Sequence, residues 1–234
     1  MWSDGEVADP ASGEPGVDEL VAFVRLACHG LRNPLAIATG MLDLLDRLSG
    51  DQLDDESRDL LLRSSAAVHR TADMVRSIQR RVGSQHRPLQ PAPVDLEEAL
   101  SVVAASLDPA EVVVRVDGTL PSIVADPDMV DWVLHELLDN ARSHADREGP
   151  VTVAVGAVEV DRRWHVSVTD DGVGIPPARR EEAFAEGARL ERAGGGLGVG
   201  LTIVRTVLAR HGGEAWLDDA PSGAGVRAVT AWPT

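Results

Sequence analysis

Glu136 and Asn140 lie four positions apart in Glu136-Leu-Leu-Asp139-Asn140, so on a helix both side chains leave the same face. A carboxylate and an amide oxygen placed this way are hard donors of the kind Mg²⁺ takes when it bridges nucleotide phosphates. Further on, Asp170 opens Asp170-Asp-Gly172-Val-Gly174 at the end of a β-rich run. Its carboxylate can accept from the exocyclic amine of adenine, and Gly172 and Gly174 let the backbone turn and approach the ring. Gly194-Gly-Gly196-Leu-Gly198-Val-Gly200 has five glycines in seven residues and runs into a helix from Leu201. Bare amides and a positive helix end suit phosphate. Taken singly, each piece has an ordinary explanation: a polar helix face, a turn, a flexible loop. In this order, they describe an ATP site with Mg²⁺ held at Asn140 and Glu136.

Composition limits how such a site can work. The formal charge of −16 repels nucleic acid and anionic lipid, so no nucleic-acid partner and no membrane insertion are expected, and polyphosphate must be held by local devices. All 22 basic residues are arginine, which excludes phosphate loops and kinase folds that depend on lysine. Cys28 is the only cysteine, so neither a disulfide framework nor a cysteine zinc motif is available, and a reducing cytoplasm fits. No apolar run approaches the length of a membrane span. A hydrophobic fraction of 44% over 234 residues is ample for a packed core.

The elements that must carry these residues follow from periodicity. Residues 1–16 read as a mobile tail. From Val17 to about Ser49, Leu20, Val24, Ala27, Leu31, Leu35, Ala38, Leu42, Leu45 and Leu48 recur at steps of three or four, the pattern of a long amphipathic helix. A second helix starts near Asp54, with Leu61, Val68, Val75 and Val82 at strict sevens. The short connection makes residues 17–86 an antiparallel hairpin. Two helices enclose no core of their own, so a homodimer forming a four-helix bundle is expected. Residues 87–93, rich in proline, read as a linker. Residues 94–234 switch to mixed helix and strand: helix near 96–106, strand at 112–116, a helix opened by Asp126-Pro-Asp, a hairpin turning at Asp161-Arg162, a helix capped by Gly212-Gly213, and two closing strands. The fold class is α+β, a helical hairpin followed by an α/β sandwich.

His29 sits on the first helix in His29-Gly-Leu-Arg-Asn-Pro34, about 200° around from both Ala27 and Leu31, so it faces away from the buried stripe. Pro34 inside so strong a helical pattern costs about 3 kcal/mol. This box resembles the phosphoacceptor segment of two-component sensor histidine kinases. The later motifs resemble the ATP domain (Bergerat-type) which that family shares with gyrase, Hsp90 and MutL. The resemblance covers nearly everything from residue 18 onward. It implies that neutral His29 attacks the γ-phosphate of ATP and that the phosphoryl group passes to an aspartate of a response-regulator receiver domain. It further implies that Glu136 acts as a base, that Asn33 orients water for dephosphorylating the regulator, and that nucleotide is held by Asn140, His144, Asp170, Gly172, Gly174, Gly196, Gly198, Gly200 and Leu201.

Three positions depart from the family pattern. Gly30 stands where relatives carry an acid that polarises the imidazole, a role typically worth about 10² to 10⁴ in rate. Ser143 replaces a frequent phosphate-contacting lysine, with Arg142 beside it as the compensating charge, and Val226 replaces a common threonine. Two alternatives stand beside the kinase, the first of them motivated by Gly30 and Ser143. One is a kinase-impaired phosphotransfer or regulator-phosphatase protein on the same scaffold. The other is an anti-sigma-type ATP-dependent binding protein, against which the phosphoacceptor hairpin argues.

Overall fold

The computed structural model describes residues 16–144, 149–188 and 197–234. Residues 1–15, read above as a tail, and Gly196 lie outside this set.

Helix α1 (Val17–Ser49) runs unbroken through Pro34, whose missing N–H leaves the carbonyl of Gly30 without its helical donor. A 3-10 turn at Gly50–Gln52 reverses the chain. Helix α2 (Asp55–His86) starts where the Asp54 carboxylate accepts from the Ser57 amide at 2.8 Å. Against α1, the heptad positions Leu61 and Val75 are buried, and Val68 and Val82 are half-buried. The stripe predicted for α1 is only partly covered. Val24, Ala27, Leu35, Ala38 and Leu42 are half-buried, but Leu31 is 49% and Leu48 66% exposed. Phe23, Leu26, Ile37, Met41 and Leu44 add a second exposed apolar stripe that the periodicity did not single out. A two-helix hairpin has one contact face per helix, so the remaining apolar surface stays open to water.

Strands β1 (Ala92–Asp95) and β3 (Ser122–Ala125) pair as a short antiparallel ribbon. The main sheet has order β2-β4-β5-β7-β6, from β2 (Val112–Asp117), β4 (Val151–Val160), β5 (Arg163–Asp170), β6 (Glu214–Asp219) and β7 (Val226–Pro233). Only β2 and β4 run parallel. The β4–β5 hairpin turns at Asp161 and Arg162, both at positive φ (49° and 60°), as the sequence pattern predicts. Helices α3 (Leu96–Ala104), α4 (Pro127–Ser143) and α5 (Gly200–Arg210) contribute the helical side of the core. Val151, Val153 and Val155 alternate inward from β4 to meet Leu134, Leu138, Ile203 and Val207 in one cluster. The result is a helical hairpin followed by an α/β sandwich, in the α+β class.

Segment 87–93 is pinned rather than loose. Arg87 donates to Asp126 and Asp128, and the Gln90 amide donates to Asp126 at 2.9 Å. Asp126 also caps α4 through the Met129 amide, while its own N–H donates to His211 Nε2 at 3.0 Å. Arg210 of α5 donates to the carbonyls of Ser84 and Arg87. Gly83 lets Trp132 approach so closely that a Cβ there would lie 2.5 Å from the indole. The sandwich therefore rests against the C-terminal end of α2. None of the described helices is long and apolar enough to cross a membrane.

Candidate active site

Helix α4 turns its apolar face into the core, and this fixes the rotation that brings Glu136 and Asn140 to the rim of a cavity of about 450 Å³. Asp170 at the end of β5 and the start of α5 complete the rim. His144, Gly174, Gly198, Gly200 and Leu201 line the same space. Gly172 does not line it, but its N–H donates to Asp170 Oδ1 at 2.9 Å and so aims the carboxylate.

The Glu136 side chain is buried and paired. Its Oε1 accepts from Arg80 Nη1 of α2 at 3.0 Å, with 8% of the Glu136 side chain and 14% of the Arg80 side chain exposed. Burial pushes the carboxyl above the ordinary glutamate range, Arg80 draws it back, and Asp139 and Asp73 push it up again. A Cβ on Gly200 would fall 2.8 Å from Glu136 Oε2 and 3.5 Å from both amide atoms of Asn140. Only glycine leaves that carboxylate and amide room above the first turn of α5. Asn140 Nδ2 is buried without a partner among the described residues. This amide N–H therefore has hydrogen-bonding capacity that no described residue uses.

Asp170 Oδ1 accepts from the amides of Gly172 and Val226, the latter at 3.2 Å, which leaves Oδ2 for an incoming donor. Burial raises its pKa, the two backbone bonds oppose the rise, and Asp171 adds to it. Val226 acts through its N–H, so the loss of the family's threonine does not remove this contact. Sequence reading missed Gly225. Its φ is 90°, and a Cβ there would lie 1.9 Å from the Asp170 carbonyl oxygen. The signal was a glycine directly before the last strand.

The glycine-rich loop is closed at its base. The Gly187 N–H donates to the Gly198 carbonyl at 3.1 Å, and Gly198, at φ 67°, would clash with Ala188 if it carried a side chain. No side chain among the described residues caps the N-terminus of α5, which leaves its first amides for a ligand. Arg142 does not supply the free cation expected beside Ser143. Its guanidinium lies 3.3 Å from Glu111 and 3.5 Å from Asp139, two carboxylates that already claim it.

His29 and Asn33 are exposed on α1, one turn apart, and neither lines the cavity. The hairpin residues that do line it come from α2: Arg70, Asp73, Met74 and Ser77. Sequence reasoning missed this wall, as it missed Arg80, because these contacts join elements that no local pattern relates.

The described residues thus combine a sandwich that bears a carboxylate–amide pair on one helix and an Asp-x-Gly-x-Gly turn with a helical hairpin that displays an exposed histidine. Residues 125–234 match the family described as histidine kinase-, DNA gyrase B- and HSP90-like ATPase. The chain is 29% identical over 221 residues to adaptive-response sensory kinase SasA of Synechocystis sp., an alignment that covers 87% of this chain and 56% of that protein. Full-length ShkA, solved in complex with AMPPNP, superposes with a TM-score of 0.64 at 26% identity over 91% of this chain and 45% of that one. The mycobacterial sensor histidine kinase MprB superposes with a TM-score of 0.52 at 26% identity over 62% of this chain and 97% of that one. Residues 125–234 thus carry an ATPase domain of the kind shared by histidine kinases, gyrase B and HSP90, and the chain as a whole is similar to sensor histidine kinases. It spans about half the length of the curated relative named here.

Proposed function

We propose that this chain is an ATP-dependent protein histidine kinase that phosphorylates His29 and passes the phosphoryl group to an aspartate of a response-regulator receiver domain. The observation that carries this reading is one cavity gathering Glu136, Asn140, Asp170, Gly174, Gly198 and Gly200, on the same molecule as a solvent-exposed histidine. Asp170 Oδ2 accepts from the adenine amine, and the uncapped amides of α5 receive the phosphates. Glu136 Oε2 and Asn140 Oδ1, facing the space that Gly200 leaves open, are oxygen ligands of the kind that fits Mg²⁺. Held by these two residues, Mg²⁺ would supply neutralising charge to the phosphates.

A lone pair of the His29 imidazole forms the N–P bond as the bond from the γ-phosphorus to the bridging oxygen breaks. ADP departs with that oxygen, and the remaining ring proton is released. Catalysis is chiefly positioning and charge neutralisation. Asn33, one turn from His29, orients water for dephosphorylating the regulator. The open apolar stripes of α1 seat a second copy, giving a dimeric four-helix bundle. The cytoplasm is the setting that matches the single reduced thiol of Cys28.

Incubation with γ-labelled ATP and Mg²⁺ tests the reading. Acid-labile label that is absent from His29→Gln is expected, and no such label in the wild-type chain rejects it. One observation favours a second reading, a phosphotransfer or regulator-phosphatase protein. Gly30 leaves His29 without a neighbouring acid, and nothing lies within 4 Å of where a Cβ would stand. That reading requires His29 to take phosphate from a phosphorylated receiver domain without ATP.

A further inference from the structure

Arg80 belongs to the stalk, yet its guanidinium is spent on the carboxylate that faces the phosphate end of the cavity, 56 residues away in sequence. The same helix supplies a wall of that cavity through Arg70, Asp73, Met74 and Ser77. Around this contact the stalk and sandwich are joined by Arg81 to Glu186 at 3.2 Å, by Arg210 to backbone carbonyls of the stalk end, and by Gly83 against Trp132. The Arg80–Glu136 pair is the most buried of the side-chain ion pairs between α2 and the sandwich, and a buried charge left without its partner is costly. A second cation arriving at Glu136 therefore meets a carboxylate already neutralised. Beside it, the buried Asn140 Nδ2 has no acceptor among the described residues.

We propose that Arg80 is a latch: it competes with magnesium-bound nucleotide for the Glu136 carboxylate, so that loading the cavity releases α2 from the sandwich. The inference rests on the nucleotide reading of the cavity. In the latched form, α2 covers the site while His29 stands outside it. In the loaded form, the metal-bound nucleotide takes over the charge balance of Glu136, and the freed sandwich can travel along the stalk toward His29. A ligand shifts such an equilibrium only by its difference in affinity for the two forms. Removing the latch must therefore tighten binding.

The test uses the full chain as wild type, Arg80→Gln and Arg81→Ala, each titrated with a fluorescent ADP analogue in Mg²⁺ and again in EDTA. Trp132 emission is followed alongside, with Trp132→Phe as the control. Arg80→Gln is expected to bind at least about fivefold more tightly in Mg²⁺, and the gain is expected to vanish in EDTA. Arg81→Ala, which loosens the same joint without touching Glu136, is expected to gain about twofold. Wild-type Trp132 emission is expected to shift when Mg²⁺-nucleotide is added. Equal affinities for all three proteins in Mg²⁺, with no shift in Trp132 emission, would overturn the latch and leave the nucleotide site standing. No binding by any of the three would overturn the nucleotide reading and the latch with it.

Discussion

At the scale of single residues, the site depends on a few side chains whose surroundings set their charge. Asp170 is the clearest. Its native pKa is raised by burial, so the folded chain holds the proton more tightly than the unfolded chain, and ionising it costs stability. That cost is present at neutral pH and absent below the ordinary aspartate value of about 4. Asp170→Asn keeps an acceptor for the amides of Gly172 and Val226, so it is expected to raise the melting temperature at pH 7.5 and to leave it unchanged near pH 3.5. The same substitution is expected to weaken adenine nucleotide binding about 10- to 100-fold, the worth of a hydrogen bond to a charged group. Calorimetry across pH and a nucleotide titration read the two effects separately. Gly30 makes the opposite case. Because a side chain there meets open space, Gly30→Glu is expected to fold, to gain about 0.5–1 kcal/mol of helix stability and to raise the initial rate of His29 phosphorylation at least about tenfold. An unchanged rate would show that His29 is activated by other means.

Among the elements, helix α4 and its joint with the stalk do the most to position the site. Asp126, with no exposure to solvent, caps α4, receives Arg87 and Gln90, and donates its own N–H to His211. Asp126→Ala removes the cap and strands a charged partner, so a loss of about 3–5 kcal/mol in denaturant unfolding is expected. The Asp126-Pro-Asp signature made this helix legible, because N-cap chemistry is local and proline at the first position is compatible with a helix start. Both long helices and the β4–β5 hairpin were legible for the same reason: their periodicity and turn residues are local. Strands β1 and β3 were not. Each has four residues, Pro93 interrupts the first, and their partnership spans the intervening α3 and β2. Glu136, Asn140, Asp170 and the glycines were readable as a set of motifs, whereas Gly225 and Arg80 became visible only once distant segments met.

For the whole molecule, the exposed apolar stripes of α1 are the largest unresolved debt of the single chain. Two helices bury one face each, and leucine, methionine and phenylalanine side chains remain in water along the stalk. Met41→Glu with Leu44→Glu is expected to convert a dimer to a monomer in sedimentation equilibrium while leaving the sandwich folded, since neither residue belongs to its core. A monomeric wild-type chain would remove the basis for the four-helix bundle. His29 also lies outside the cavity, so the proposed phosphoryl transfer requires the sandwich to move or a second copy to bring its own cavity. The most direct measurement of the central claim is the intact mass of the protein after incubation with Mg²⁺ and ATP. The account predicts one added phosphoryl group per chain, lost on acid treatment, absent from His29→Gln and slower to form in Asp170→Asn at limiting ATP. An unmodified wild-type mass, or an adduct that persists in His29→Gln, would contradict it.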